Sequence, residues 1–504
     1  MTLRNVFSFV LIAVCVNMLA GCQRPAPPIP PKSELDRRRD EKIDGLLETV
    51  EAHDMELRKL TGGEQKQGSL VGEVRKLRTE IGKQNLRIKR LQAEDRKLHS
   101  AVAALKKERG ALVARFEQPA IDALEKLGGR VDLNSSGTVF RVDLTQSVAE
   151  DKDLASLSHL PNIEQLFLAG PDFTDTGLVH LSGLKKLRVL GLENTGTTDD
   201  GLAHLSGLTN LVALRLRRTD IGNDGLKHLQ NMKNLRELDL RFTNISDDGL
   251  VHLKAMTSLR TLKLQASQVT DAGLDHLKGL TGLERLNLWG TNFTDLALEK
   301  LKGMKNLKAL ELDDTQITDD GLAHLKGLTN LQELHLRRDY ITDKGYAHIA
   351  GLTNMKVLFL RDTLITDHGV KSFSGMKSLR LLDLSETQIG DEALRHLSGL
   401  TGLEDLNLWS TQVTAGGLRH LTGLSKLKRL NLENDQISDS AVLHLPKMTS
   451  LESLNLAGTR ITDATLLSLT VLKKLKVLNI SFTEVSDTGV RSFQKALPGC
   501  VVKR

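Results

Sequence analysis

Ten of the fifteen histidines recur at one 24-residue interval: His180, His204, His228, His252, His276, His324, His348, His396, His420 and His444. Imidazoles stacked at a fixed step could chelate metal, because two of them would have to approach one ion. The Asp of a recurrent Ile-Thr-Asp forms a second column, which could suggest calcium. Two further columns vary in the way a binding surface does. One runs Arg217, Arg241, Gln265, Trp289, Asp313, Arg337, Arg361, Ser385, Trp409. Its neighbour runs Arg215, Asp239, Lys263, Asn287, Glu311, His335, Phe359, Asp383 and ends as Asn407, Asn431, Asn455, Asn479. Both tryptophans of the chain stand in the first of these, 120 residues apart. Trp beside Arg is the composition of binding hot spots, and Arg supplies charge-assisted donors to acidic groups.

The elements that must position these columns are repeats. Between residues 160 and 486 an L-x-L pair returns every 24 residues without insertion or deletion, from Leu166/Leu168 through Leu454/Leu456 to Leu478/Ile480. The fourteen copies follow the pattern LxxLxxLxLxxTxITDxGLxHLxGL. Self-similarity at this period marks a solenoid, in which each unit buries its core only against its neighbours. Alternation in the strand turns the leucines inward and the residues before, between and after them to the open, concave face. The Thr that follows (Thr195, Thr219, Thr243, Thr291, Thr315) is expected to bond neighbouring backbone and form a ladder. Thr/Ser-Asp is expected to cap a helix whose inward face holds Leu322 and Leu325 and which Gly327 closes. Fourteen strands at a spacing of about 4.8 Å predict an arc of about 65 Å.

That frame decides between the chemistries. The histidines fall on the flank of the outer helix, where Lys300 and Ser372 occupy the same slot, and we read them as helix flank rather than ligands. One carboxylate per turn, engaged in capping, offers calcium too few oxygens. No nucleophile–base arrangement, phosphate-cradling glycine loop or Cys-x-x-Cys occurs in the sequence, so no enzyme, metal or cofactor is expected. The varied columns are read as a binding surface: Trp289, Trp409 and Phe359 as apolar anchors, Arg215, Arg217, Arg241, Arg337 and Arg361 as donors. Arg217-Arg218 and Arg337-Arg338 share the five-repeat interval of the tryptophans, as do the Leu-Asn-Leu-Trp segments beginning at residues 286 and 406. We infer a duplicated five-repeat block, and inheritance alone explains those matches.

The motif over residues 120–504 resembles the α/β leucine-rich repeats of the F-box-associated and ribonuclease-inhibitor type, and the long 24-residue arrays of bacterial envelope proteins. The resemblance implies an α/β fold, a right-handed leucine-rich repeat horseshoe, and protein–protein recognition through its concave sheet. Thr replaces the Asn or Cys of many relatives and there is no F-box, so a ubiquitin-ligase role does not carry over.

Ahead of the repeats the chain changes character. Residues 1–21 have the charged start (Arg4), apolar run and small-residue end of a secretion signal. Leu19-Ala20-Gly21-Cys22 resembles the lipobox of bacterial lipoproteins, which implies cleavage before Cys22 and its lipidation. Several acyl chains make a firm anchor. The resemblance, with Gln23 rather than Asp after the cysteine, directs the protein to the cell envelope, and to the outer membrane where there are two. Residues 22–32 hold five of the ten prolines and read as a stalk. Residues 33–118 carry the heptad pattern of a coiled coil, broken near residues 61–68, which would make a homo-oligomer or fold back as a hairpin. Residues 119–504 form the repeat domain with caps at both ends: a helix over residues 120–128, a first strand over 140–144, and a closing strand at Val502. The basic charge sits in the rod, where residues 69–117 hold 13 Lys and Arg against 6 Asp and Glu. The repeats lack a basic face, which argues against nucleic acid. Cys500 is left as a small buried residue of the last cap.

The function expected is recognition of a protein partner by an envelope-anchored module. The alternatives are a structural spacer of the envelope, and a carbohydrate or wall-polymer binder, suggested by Trp beside a run of Asn.

Overall fold

The computed structural model describes residues 76, 79, 82–83, 86–87, 89–105 and 116–504, apart from 136. The signal segment, Cys22, the proline stalk and the break near residues 61–68 lie outside the described residues. The chain divides into two compact units, Met1–Lys106 and Lys107–Arg504. In the first, residues 89–105 are helical throughout, with Leu91, Leu98, Val102 and Leu105 exposed. No helix among the described residues is long and apolar enough to cross a membrane.

The second unit opens with the helix Gln118–Lys126, whose first turn holds Pro119, where a missing N–H costs nothing. It buries Ala120, Ile121 and Leu124 over the end of the core. The strand Arg130–Leu133 pairs antiparallel with Val139–Asp143, an edge hairpin that the repeat pattern did not signal. From Val139–Asp143 onward every strand is parallel to the next, and Val142↔Leu166, Leu166↔Leu190 and Leu190↔Leu214 are direct partners. The pairing runs on to Leu478↔Val502 in the closing strand Val501–Lys503. Seventeen strands thus form one sheet. Leu310, Leu312, Leu322, Leu325, Leu328 and Leu331 are each 0% exposed and show the core of a single unit. At about 1.5–3 kcal/mol for a fully buried leucine, this column holds the array together. Cys500 is buried in the terminal cap with a free thiol.

Each strand ends in a turn that determines how the recurrent polar positions are used. The second residue past the L-x-L leucine has left-handed backbone in repeat after repeat, at φ 55° in Arg218, 56° in Phe242, 54° in Asp314 and 61° in Arg338. Gly170, Gly290 and Gly458 avoid the steric penalty in that column, which for other residues is about 1–2 kcal/mol each. Apart from Thr315 and Thr411, whose hydroxyls reach Asp339 and Asp435 of the next repeat, the threonine that follows does not form a ladder between repeats. Its hydroxyl turns back on its own strand, donating to the leucine carbonyl three residues earlier: Thr219 to Leu216 and Thr243 to Leu240, both at 2.6 Å, and Thr363 to Leu360 at 2.9 Å. The left-handed residue makes that return possible.

The inter-repeat ladder runs instead through the Ile-Thr-Asp segment. Thr198 caps its own helix by accepting from the Asp200 N–H. The Asp after each capping Thr reaches forward: Asp175 accepts from the Thr198 N–H at 2.8 Å and its hydroxyl at 2.6 Å. Asp295 does the same for Thr318, Asp319 for Thr342 and Asp343 for Thr366. The aspartate expected to cap its own helix therefore stitches one unit to the next. Close packing follows, since a Cβ on Gly201 would sit 2.1 Å from Asp175 Oδ1. The oxygen yields where it must, because Ala297, Ala393 and Ala441 occupy that slot in other repeats. The ladder is interrupted at Ala415, which has no carboxylate to offer Ser438. Ala415→Asp is expected to complete it and stabilise the array by about 1 kcal/mol, the worth of a net hydrogen bond. A denaturant midpoint unchanged or lowered relative to the parent would refute this.

Candidate binding face on the open side of the sheet

The side chains flanking the buried leucines lie on the sheet face away from the core. They are less exposed than alternation alone predicts. Asp239 and Ser385 are 0% exposed, and Gln265, Asn287, Asp313 and Asp383 are also buried. Strands only about 4.8 Å apart leave little room between columns, so long side chains lie down along the stack. The central column also ends each strand. Asn407 Oδ1 accepts from the Trp409 N–H at 3.2 Å, Asn431 from Glu433 and Asn455 from Ala457 at 3.1 Å. The run of asparagines thus has a local backbone role.

Of the predicted residues, Arg337 meets Phe359 and Arg361 meets Trp409, while Trp289 stands apart from both pairs. Arg337 lies over the Phe359 ring with its guanidinium carbon 3.9 Å from the centroid. It also stands 3.7 Å from Asp313 and 3.8 Å from Asp383. Phe359 meets His335 edge-on at 4.5 Å. Arg361 pairs with Glu386 and stacks over Trp409, two repeats on, at 4.7 Å. Trp289 is 38% exposed and donates from Nε1 to Asp314 at 2.7 Å, and Asp314 in turn pairs with Arg338. Arg215, Arg217 and Arg241 belong to a second cluster. Arg241 grips the buried Asp239 through Nε at 2.8 Å and Nη2 at 2.6 Å, Arg215 pairs with Glu237 at 3.0 Å, and Arg217 lies 5.6 Å from the Phe242 ring centre. The arginines read as donors to a partner thus already contact acids or rings of this chain.

The two tryptophans occupy equivalent positions and differ in surroundings. An arginine stands two repeats before each, Arg241 and Arg361. Asp239 captures Arg241, whereas Phe359 at the matching position offers no carboxylate, and Arg361 pairs with Glu386 and covers Trp409. Trp409 is half-buried as a result, and its Nε1 has no partner among the described residues.

Sequence reasoning missed the electrostatics beneath this face. Burial alone would lower the pKa of His335, but its bonds to Asp313 and Glu333 raise it to about 9. The hydrogen bond from His335, opposed by burial and aided by Arg285, holds Glu333 down at about 2. Asp339 and Asp435 occupy the threonine slot of their turns, a departure visible in the sequence. Each accepts the N–H and hydroxyl of the preceding repeat's threonine, Thr315 or Thr411, through Oδ1. Oδ2 of each is buried without a partner among the described residues. Burial raises Asp339 to about 8 and Asp435 to about 7. Among the described residues no three His, Cys, Asp or Glu side chains converge as a metal requires, and the histidine column stays on the helix flank.

Residues 281–341, 329–389 and 353–413 match one Leucine rich repeat family, and residues 207–229, 231–253, 447–469 and 471–493 match a second. The stretches so matched are leucine-rich repeats. An internalin of Listeria monocytogenes superposes with a TM-score of 0.50 at 24% identity, covering 68% of this chain and 96% of its own. A leucine-rich repeat protein of Leptospira interrogans gives 0.50 at 20% identity, covering 69% and 92%. Both likenesses concern the fold. No curated protein matches.

The titrating groups of this leucine-rich repeat face have opposite signs. The His335–Glu333 pair contributes its full stability between the unfolded values, about pH 4.3 and 6.5. That contribution is lost as pH rises through about 9 or falls through about 2. The raised carboxyls favour the fold only while protonated, so their cost grows as pH rises from about 4 and levels off near 8 for Asp339. Asp339→Asn keeps the acceptor for Thr315 and removes the buried charge. It is expected to stabilise by about 1–3 kcal/mol at pH 8 and much less at pH 5. Urea unfolding at both values checks this, and an equal change at the two would refute the assignment.

Proposed function

We propose that this chain is an envelope-anchored binding module whose leucine-rich repeat array engages a protein partner. The observation that carries the reading is the pair of arginine–aromatic stacks, Arg337 on Phe359 and Arg361 on Trp409, on the sheet face that also bears Trp289. A solenoid offers an extended surface for such contacts, and a half-desolvated Trp under Arg is a typical hot-spot arrangement. The polar partners are pre-positioned, so an incoming acidic or aromatic group would meet side chains that have already lost much of their freedom. A soluble form of residues 119–504 used as bait against envelope extract, beside the same bait carrying Trp289→Ala, Trp409→Ala and Arg337→Ala, tests this. The triple variant is expected to lose at least tenfold in affinity for the retained partner, about 1.4 kcal/mol or more. Equal retention by both baits would remove the site from this face.

The internal pairing of Arg215, Arg241 and Arg361 favours a second reading, a spacer in the envelope with its charges already compensated. A spacer would tolerate all three substitutions in a functional assay and respond to shortening of the rod. A sugar ligand would instead quench Trp fluorescence without a protein partner.

Anchoring is proposed on the lipobox resemblance of residues 19–22. Cells fed radiolabelled palmitate are expected to label the chain, and Cys22→Ser to abolish labelling. Labelling that survives the substitution would exclude Cys22 as the lipid site.

A further inference from the structure

The absence of a basic face, expected of the repeats as a whole, does not hold along the rim where the chain enters the early strands. The residue two places before the first leucine of each L-x-L forms a column on that rim. It runs Glu164, Arg188, Val212, Arg236, Arg260, Glu284, Lys308 and on to Lys476. From Glu284 onward every cation of the column finds an oxygen on a neighbouring repeat. Lys308 pairs with Glu284 at 2.6 Å, Arg380 and Lys428 share Glu404 at 2.6 and 2.7 Å, and Lys476 pairs with Glu452 at 2.6 Å. Lys356 donates to Gln332 Oε1 at 2.8 Å.

The earlier cations have no such partner. The guanidinium groups of Arg188 and Arg236 are exposed and form no ion pair or hydrogen bond among the described residues. Arg260 turns back on the carbonyls of Thr257, Ser258 and Leu259. At the other end of the same strands Arg217 and Arg218 lie 5.6 and 5.1 Å from the Phe242 ring centre, and neither reaches a carboxylate among the described residues. Two acids between the rims are already taken, Glu237 by Arg215 and Asp239 by Arg241. Among the described residues, the strand-flanking arginines that lack a carboxylate therefore all fall within residues 188–260. Their later counterparts Arg285, Arg337, Arg338, Arg361, Arg380 and Arg429 are each paired.

An open groove of about 490 Å³ runs along the early rim, lined in part by Lys186, Arg188, Val212 and Arg236, with Glu164 toward its N-terminal end. A guanidinium without an acid presents a planar fork that suits carboxylate or phosphate. The surroundings choose between them. A long strand of phosphates following the column would meet Glu164 at one end and Glu284 at the other, with Glu404 and Glu452 beyond. A short acidic peptide avoids all four. Arg188 and Arg236 stand two strands apart, about 10 Å, which about three residues of extended chain cover. Val212 lies between them, half-buried, and suits an apolar residue set between two acids.

We propose that this rim is a docking surface for an extended, carboxylate-rich segment of a partner protein, gripped by Arg188 and Arg236 with an apolar residue against Val212. The surface is separate from the face that bears Trp289 and Trp409 and does not depend on it.

The test uses the full chain in detergent and a fluorescein-labelled peptide with glutamate at every third position and valine between. Fluorescence anisotropy is expected to show binding that weakens as salt rises. Arg188→Gln with Arg236→Gln is expected to lose at least about tenfold in affinity. Unfolding should be unchanged, because neither guanidinium holds the fold together. Arg380→Gln with Arg429→Gln removes the same charge from paired positions and is expected to leave affinity nearly unaltered. Equal losses in the two pairs would reduce the effect to net charge and overturn the site. A parent that does not bind the peptide would overturn the rim as a docking surface. Polyphosphate of matched charge binding more tightly than the peptide would overturn the protein occupant. Trp289→Ala with Trp409→Ala is expected to leave peptide binding intact, and its loss there would overturn the separation of the two surfaces.

Discussion

Everything in the repeat unit depends on parallel pairing without register shift. An L-x-L strand hides its leucines only if the next strand sets leucine against leucine, as Leu334↔Leu358 and Leu358↔Leu382 do. A slip of one residue would bring the polar columns into the core. The chain therefore cannot change its 24-residue step within the array, and each type of position becomes a column at strand spacing. A column of one charge at that spacing is repulsive, so polar positions must find partners sideways. This is why Arg241 lies on Asp239, Arg361 on Glu386 and Lys263 near both Glu237 and Asp239.

The same constraint shapes the turns. The chain must leave the strand at one angle in every unit, and a left-handed residue does this even where the residue is Phe or Arg. A penalty of about 1–2 kcal/mol per turn is tolerable beside several buried leucines at about 1.5–3 kcal/mol each. The threonine hydroxyl closes the turn onto its own strand, and the aspartate after the next threonine carries the polar connection to the following unit. At Asp339 and Asp435 an acid replaces the turn threonine and redirects the preceding one, which leaves a buried oxygen without a donor. These two turns break the local pattern of an otherwise uniform stack.

On the open face, residues five repeats apart hold equivalent positions and their neighbours make them differ. Trp289 stays exposed with its Nε1 on Asp314, while Trp409 is covered by Arg361 because Phe359, unlike Asp239, does not hold the arginine. An equivalent position therefore does not bring equivalent surroundings. The face is a network of ion pairs and stacked rings in which the aromatic groups retain the surface most ready to be covered.

The sequence by itself determined the period, the leucine core, the parallel solenoid, the Pro119 cap and the closing strand at Val502. These follow from one-dimensional repetition, where each residue's neighbour in space stands 24 positions away in the chain. It also placed Trp289, Trp409 and Phe359 on the face away from the core, because strand alternation is local. The partner of each aspartate and threonine, and the pairing of the arginines within the chain, were decided by tertiary structure. A carboxylate near a helix end can serve its own helix or the next unit, and only the packed distance between units favours the second. The protonation of His335, Asp339 and Asp435 belongs to the same class, since burial and the charges converging from neighbouring strands exist only once the stack has formed.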